Sequence, residues 1–295
     1  DTLDVLSGAD LTTALIALTP AGGLAIHQSN LAGTETRVGQ IGSRIKTIRA
    51  GRADGNSVNI ASTGTGSAMP MMGLAMQADA AAQSSTKTSA KGWGSFVEVT
   101  AYQGDQEAFN GSDERDIDGL SLTAGIDRQV GKNIRVGGFL SYGESDNDAK
   151  DGASVASTEG FTLGAYGVKT GEKIDWSGYV GFGQSDISTA RAGLTGGTVS
   201  GETEATEVMF GVAGATSFTE RLEGVASLDY FSYEIDGYTE TGGVSAVTVG
   251  DQTIDSLQGS LGANFYFMED SAAWQPRVGG RVVYDFNGEE ANAVI

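Results

Sequence analysis

The chain is 295 residues long, with 45 glycines, 3 prolines, no cysteine and a formal charge of −20. The acidic balance argues against nucleic acid, whose phosphates are held by cationic surfaces, and zero cysteine excludes disulfides and thiolate metal sites or nucleophiles. No window holds the ~18 consecutive apolar residues of a membrane-crossing helix, which leaves open a membrane crossed by strands, each short and only half apolar.

The sequence starts at Asp1 with neither an initiator Met nor a basic-then-apolar leader, and reads as the interior of a longer protein. Asp10 is placed to cap a short helix through Leu11, Leu15, Ile16 and Leu18, ended near Pro20. A second helix is expected from Leu24 to Ala50, with Ile26, Leu31, Val38, Ile41, Ile45 and Ile48 at close to 3–4 spacing. Ser29, Asn30, Thr34, Thr36, Gly39 and Ser43 make its other face small and polar. Arg44, Lys46 and Arg49 gather at its end, where cations suit the helix dipole. Residues 51–91, rich in Gly, Ser, Ala, Thr and Met, read as a flexible linker.

From Gly92 onward the texture changes to about nine segments of alternating character, the signature of transmembrane β-strands. They fall at 93–102, 120–127, 134–143, 161–169, 174–184, 208–216, 222–233, 256–267 and 276–286. In 256–267, Leu257, Leu261, Ala263, Phe265 and Phe267 share one face, while Ser256, Gln258, Ser260, Gly262 and Asn264 share the other. The charged residues Glu98, Asp127, Arg135, Asp175, Glu223, Asp229, Arg277 and Arg281 all take the polar parity. An Arg or Lys facing lipid near the midplane costs roughly 2–4 kcal/mol, so this placement predicts a wet lumen behind the polar face.

Connections near 131–133, 171–172, 219–220 and 269–270 are short, and those at about 104–117, 144–158, 185–206 and 234–253 are long. That alternation matches tight periplasmic turns and extended outer loops. Trp93, Tyr102, Tyr142, Trp176, Tyr230, Tyr266 and Tyr284 are candidates for interfacial aromatic girdles. An odd number of strands leaves an open edge, which hydrocarbon does not tolerate, and the sequence reads as truncated after its last strand.

The order of parts resembles the translocator domain of type V autotransporters. The likeness rests on Leu3-Asp4-Val5-Leu6-Ser7-Gly8 and the helix down to Ile41-Gly42-Ser43-Arg44, and on Gly92-Trp93-Gly94-Ser95-Phe96. It rests also on Asp118-Gly119-Leu120 through Gly137-Gly138-Phe139-Leu140-Ser141-Tyr142 and on Asp236-Gly237-Tyr238-Thr239-Glu240-Thr241-Gly242. The resemblance implies an all-β fold: an antiparallel transmembrane β-barrel in the bacterial outer membrane. About nine of the family's twelve strands are read here, with an N-terminal α-helix in the pore. It divides the chain into a pore segment (1–50), a linker (51–91) and an incomplete barrel (92–295). It further implies anchoring and export of an N-terminal passenger, assembly assisted by the barrel assembly machinery, and contact with lipid and lipopolysaccharide. Arg44, Lys46 and Arg49 are the expected helix contacts to lumen carboxylates such as Glu98, Asp127 or Glu223. The Asn-Asn junction by which some members cut their own passenger is absent from this sequence.

No catalytic constellation, metal site or cofactor motif emerges. His27, the only histidine, falls in the expected pore helix. Ser84-Ser85-Thr86-Lys87 has Ser-x-x-Lys spacing but lies in a Ser/Thr-rich stretch without a pocket to lower the lysine pKa. Gly92-Trp93-Gly94 and Gly181-Phe182-Gly183 lead into no helix that would hold a phosphate, and read as close-approach glycines in strands. The acidic stretches 105–116 and 144–151 lack calcium-loop spacing and read as solvated outer loops, with weak divalent bridging to lipopolysaccharide as the sharper reading. Other readings are a free-standing porin or adhesin barrel, an enzyme whose motifs precede residue 1, and a soluble β-sandwich or solenoid.

Overall fold

The computed structural model describes residues 22–65, 84–86, 92–106, 114–150, 152, 154–193, 196–243, 245–267, 277–287 and 291–294. The expected helix after Asp10 lies outside them. Helix α1 spans Gly22–Arg49. The strands are β1 (Gly55–Thr65), β2 (Ser84–Thr86), β3 (Trp93–Gln106), β4 (Arg115–Gln129), β5 (Ile134–Ala149), β6 (Ser154–Lys169) and β7 (Asp175–Ala192). They continue with β8 (Thr198–Ser217), β9 (Leu222–Ile235), β10 (Tyr238–Thr239), β11 (Thr248–Val249), β12 (Gln252–Tyr266), β13 (Arg277–Asp285) and β14 (Ala291–Val294).

All nine expected strands are present. They form one antiparallel meander, extended by β14 on one side and by β1 and β2 on the other, in the order β14-β13-β12-β9-β8-β7-β6-β5-β4-β3-β1-β2. Alternation governs exposure throughout. Leu140, Leu163 and Phe182 stand side by side across β5, β6 and β7 and are each more than half exposed. Their neighbours Ser141 and Thr162 are buried. An apolar outer band with a polar inner face is the inverse of a soluble core and fits a barrel wall in lipid.

Three features depart from expectation. The segment read as a linker contributes β1, which runs parallel to β3, and β2, antiparallel to β1. Its Gly/Ser/Asn-rich composition hides the strand, because hydrogen bonding to an available edge holds it more than side-chain propensity does. The long connections at 144–158 and 185–206 are mostly strand, since β5 to β8 continue well past the ~10 residues that cross a bilayer. Beyond the lipid both faces are polar, so periodicity fades while lateral pairing persists; in 234–253 a short β10–β11 hairpin forms. Finally, Tyr102 and Tyr266 turn inward instead of joining a girdle. They share parity with Thr100 and Asn264, and Tyr102 is buried. Outward aromatic pairs do form at Tyr142–Phe161 and Phe210–Tyr230, with centroids 5.1 and 5.0 Å apart.

Candidate functional site

Helix α1 lies against the inner face and is covered on both its apolar and its polar sides. Ile41, Ile45 and Ile48 form a buried cluster with Phe96, Phe139, Tyr166, Val168, Met209 and Phe231. Ile26, a few turns earlier, meets Ala156, Ile187, Ala205 and Ile235. These second contacts lie at the strand ends joined by the long connections, whereas Ala53, just after the helix, sits beside Gly94 and Arg135 at the short-turn ends. The direction of the helix is thereby fixed: its N-terminus points to the long-loop rim and its C-terminus to the short-turn rim.

The wall makes room for this filling. Phe96 and Phe139 lie over Gly125 and Gly164 of the adjacent strands, where an added Cβ would come within 2.2 Å of either ring. Large residues thus sit along the wall, where a neighbour without a side chain receives them.

Polar contacts occur in layers down the helix. Arg37, Gln40 and Arg44 fall at i, i+3 and i+7, one stripe of a 3.6-residue helix. Nearest the long-loop rim, Arg37 Nη2 lies 2.8 Å from Glu207 Oε2 on β8. That carboxylate also accepts hydrogen bonds from Thr34, from Tyr233 (2.8 Å) and from Thr162 (2.9 Å). Below it, Gln40 Nε2 donates to Thr100 Oγ1 (3.0 Å) and to the Ser121 carbonyl (3.1 Å), while its oxygen accepts from Ser121 (3.1 Å) and Thr123.

The third layer is the most enclosed. Arg44 donates through Nε to Asp127 Oδ2 at 2.7 Å and through Nη2 to Oδ1 at 3.0 Å. Arg135 and Tyr166 donate to the same carboxylate. Both guanidiniums also reach the Ala53 carbonyl, at 2.9 and 3.0 Å, pinning the turn that leaves the helix. Gly94 leaves space for this junction: a Cβ there would lie 2.1 Å from the Ala53 oxygen and 2.3 Å from Arg44 Nη2. At the short-turn rim, Arg49 pairs with Asp175 (3.2 Å) and with Glu223, which also accepts from Asn264 and Tyr266, both at 3.1 Å.

Of the helix cations named from the sequence, Arg44 meets Asp127 and Arg49 meets Asp175 and Glu223, while Lys46 is half-buried. Glu98 accepts from Asn59 of β1 at 3.2 Å. Asp229 accepts from Tyr179 (2.8 Å) and Ser227 (2.7 Å) within the wall. Arg135 joins the Asp127 cluster. Arg281 shares parity with buried Val283 yet is exposed, and the side chain of Arg277 lies outside the described residues. Sequence reading missed Arg37, Gln40, Glu207, Tyr166 and Tyr233. The i, i+3, i+7 stripe and the inward parity of Glu207 one residue before its segment were the available signals.

At the long-loop rim, Lys150 bridges Asp105 (3.1 Å), Glu114 (2.7 Å) and Asp116 (3.3 Å), so part of the acidic stretch is already neutralised. The hydrogen bond that Lys150 donates to Glu114, with the one to Asp105 next, holds the lysine ammonium above its ordinary range. Arg191 donates to Glu240 Oε1 at 2.8 Å and to the Ser245 carbonyl at 2.6 Å, securing the β10–β11 hairpin over β7 and β8. Among the described residues no group of three His, Cys, Asp or Glu side chains could hold a metal ion.

Comparison with known proteins agrees with this architecture. The autotransporter beta-domain model matches residues 92–294. The translocator domain of the autotransporter NalP from Neisseria meningitidis superposes with a TM-score of 0.61 at 19% identity, over 70% of this chain and 75% of that one. The beta domain of the Bordetella autotransporter Brka gives 0.51 at 19% identity, over 67% and 81%. No curated protein sequence matches. An exposed apolar band, a polar interior occupied by a helix, and a family match over more than half of its length place this chain in the autotransporter beta-domain family, whose members are outer-membrane β-barrels.

Proposed function

We propose that this chain anchors a passenger joined to its N-terminal side and serves as its route across the outer membrane, with α1 retained in the lumen as a plug. The observation that carries this reading is the direction of α1. A chain leaving the helix N-terminus emerges at the long-loop rim, the outer side of an outer-membrane barrel. The layers at Arg37, Arg44 and Arg49 hold the helix at one depth. On this reading residues 1–50 are the pore segment, 51–91 its connection to the wall, and 92–295 the barrel. Barrel assembly machinery and lipopolysaccharide are the further partners, and the domain supplies no catalysis of its own.

The test joins two measurements. An epitope placed before residue 1 is expected to be cut by protease added to intact cells; cutting only after lysis would overturn the topology. Charge reversal at Arg37, Arg44 or Arg49 is expected to raise single-channel conductance in planar bilayers. Unchanged conductance would remove the plug.

A further inference from the structure

Strand β1 occupies an edge that a closed antiparallel barrel needs for another partner. One edge of β3 bonds β4 along its full length, from Trp93 to Gln106. The other bonds β1 over all eleven β1 residues, in parallel, from Gly55 opposite Gly94 to Thr65 opposite Gly104. An up-and-down barrel closes when the first strand of its meander pairs with the last, because an unpaired amide in hydrocarbon costs several kcal/mol. Here β3 is the first strand of the antiparallel meander, and its closing edge is taken.

The match between β1 and the wall is more than backbone pairing. Its outward residues are apolar at the centre, with Val58 beside Val97 and Ile60 beside Val99. Val58 is 43% exposed and Ile60 64%, values like those of the lipid-facing wall. Its inward residues reach the lumen network. Asn59 Nδ2 donates to Glu98 Oε1 at 3.2 Å, and Arg44 Nη1 donates to Ser57 Oγ at 3.4 Å. Two turns with left-handed glycines, Gly51 (φ 67°) and Gly55 (φ 102°), take the chain directly from the helix end into this strand. Segment 55–65 thus carries the two-faced character of a barrel strand and is delivered to the seam by the plug itself.

We propose that residues 55–65 serve as a surrogate wall strand: β1 covers the closing edge of β3 while the barrel is incomplete and gives that edge up when the closing strand pairs. The segment thereby protects the seam edge from pairing with other chains, a hazard of any exposed strand edge, and links seam closure to the seating of the helix through Arg44 and Ser57. The inference uses the barrel fold and its place in the outer membrane, and does not depend on what the passenger is or how it is exported.

The experiment uses the full-length protein with Asn56→Cys and Ser95→Cys, separately and together. Ser95 Oγ already donates to Asn56 Oδ1 at 2.8 Å, and neighbouring strands lie at ~4.8 Å, within disulfide range. The described sequence has no other cysteine to compete, and the periplasm is oxidising. In a pulse-chase, the double variant is expected to form the cross-link early. The cross-linked fraction should lose the heat-modifiable mobility of a closed barrel and recover it when reductant is added, while both single variants mature normally. Absence of the cross-link at every time point would overturn the proposal. So would a cross-linked protein that matures at the rate of the single variants, since β1 would then be a permanent part of the wall.

Discussion

Arg44 of the helix and Asp127 of β4 meet through two parallel hydrogen bonds, 2.7 and 3.0 Å long, with side chains 1% and 0% exposed. Removing one member of so enclosed a pair leaves an uncompensated charge, which typically costs about 3–5 kcal/mol. Asp127→Asn strands Arg44, while Arg135 keeps its second carboxylate partner, Asp54, at 2.9 Å. Urea titration followed by tryptophan fluorescence is expected to show a loss of that size, and a loss below ~1 kcal/mol, the worth of a surface pair, would mean that the cluster is effectively hydrated.

Arg37 and Glu207 are coupled across the helix–wall boundary. A double-mutant cycle with Arg37→Ala and Glu207→Ala is expected to give a coupling energy within roughly 0.5–3 kcal/mol, read from the same titrations. Simple additivity would mean that the two residues contribute independently and that the layer does not set helix depth.

Two glycines near the helix separate close approach from helix propensity. At Gly42 an added Cβ meets nothing within 4 Å, so Gly42→Ala is expected to stabilise by about 1 kcal/mol. At Gly94 the same methyl collides with the Ala53 carbonyl and Arg44, so Gly94→Ala is expected to destabilise and to raise conductance as the junction opens. The opposite signs of the two changes are the measurable result.

The outer hairpin is expected to loosen only in acid. Burial pushes the Glu240 carboxyl up, but the Arg191 guanidinium and the Val247 amide more than offset this and hold it below the ordinary carboxylate range. Its contribution is therefore complete above the unfolded glutamate value of ~4.3 and fades as pH falls through the lower folded value. Hydrogen exchange at the Val247 amide should stay protected from neutral pH down to the unfolded glutamate value of ~4.3, once intrinsic rates are corrected, and lose protection only in more acid solution. Arg191→Ala should abolish that protection at neutral pH.

The wall was legible from the sequence because lipid enforces its pattern. Leu122, Ala124 and Ile126 alternate with Ser121, Thr123 and Asp127 since each set faces a different solvent. The helix was legible from its isoleucines, but its partners were not. Which strand faces Arg37 depends on how the sheet curls, and that places Glu207, 170 residues away in sequence, beside it. Strand β1 was hidden for another reason: Ser57, Asn59 and Ser62 carry no strand preference, and only the available edge of β3 makes a strand of them.

The rings of Phe96 and Phe139, lying over Gly125 and Gly164, bear on what the channel admits. With these two rings laid over glycines of the wall, they meet Ile41, Ile45 and Ile48 of the helix without filling the space the helix occupies. A methyl at either glycine would come within 2.2 Å of a ring and push it toward the helix isoleucines. Part of the heavy glycine content thus sets a calibre, which fits a conduit that must hold a coiled segment without gripping it everywhere.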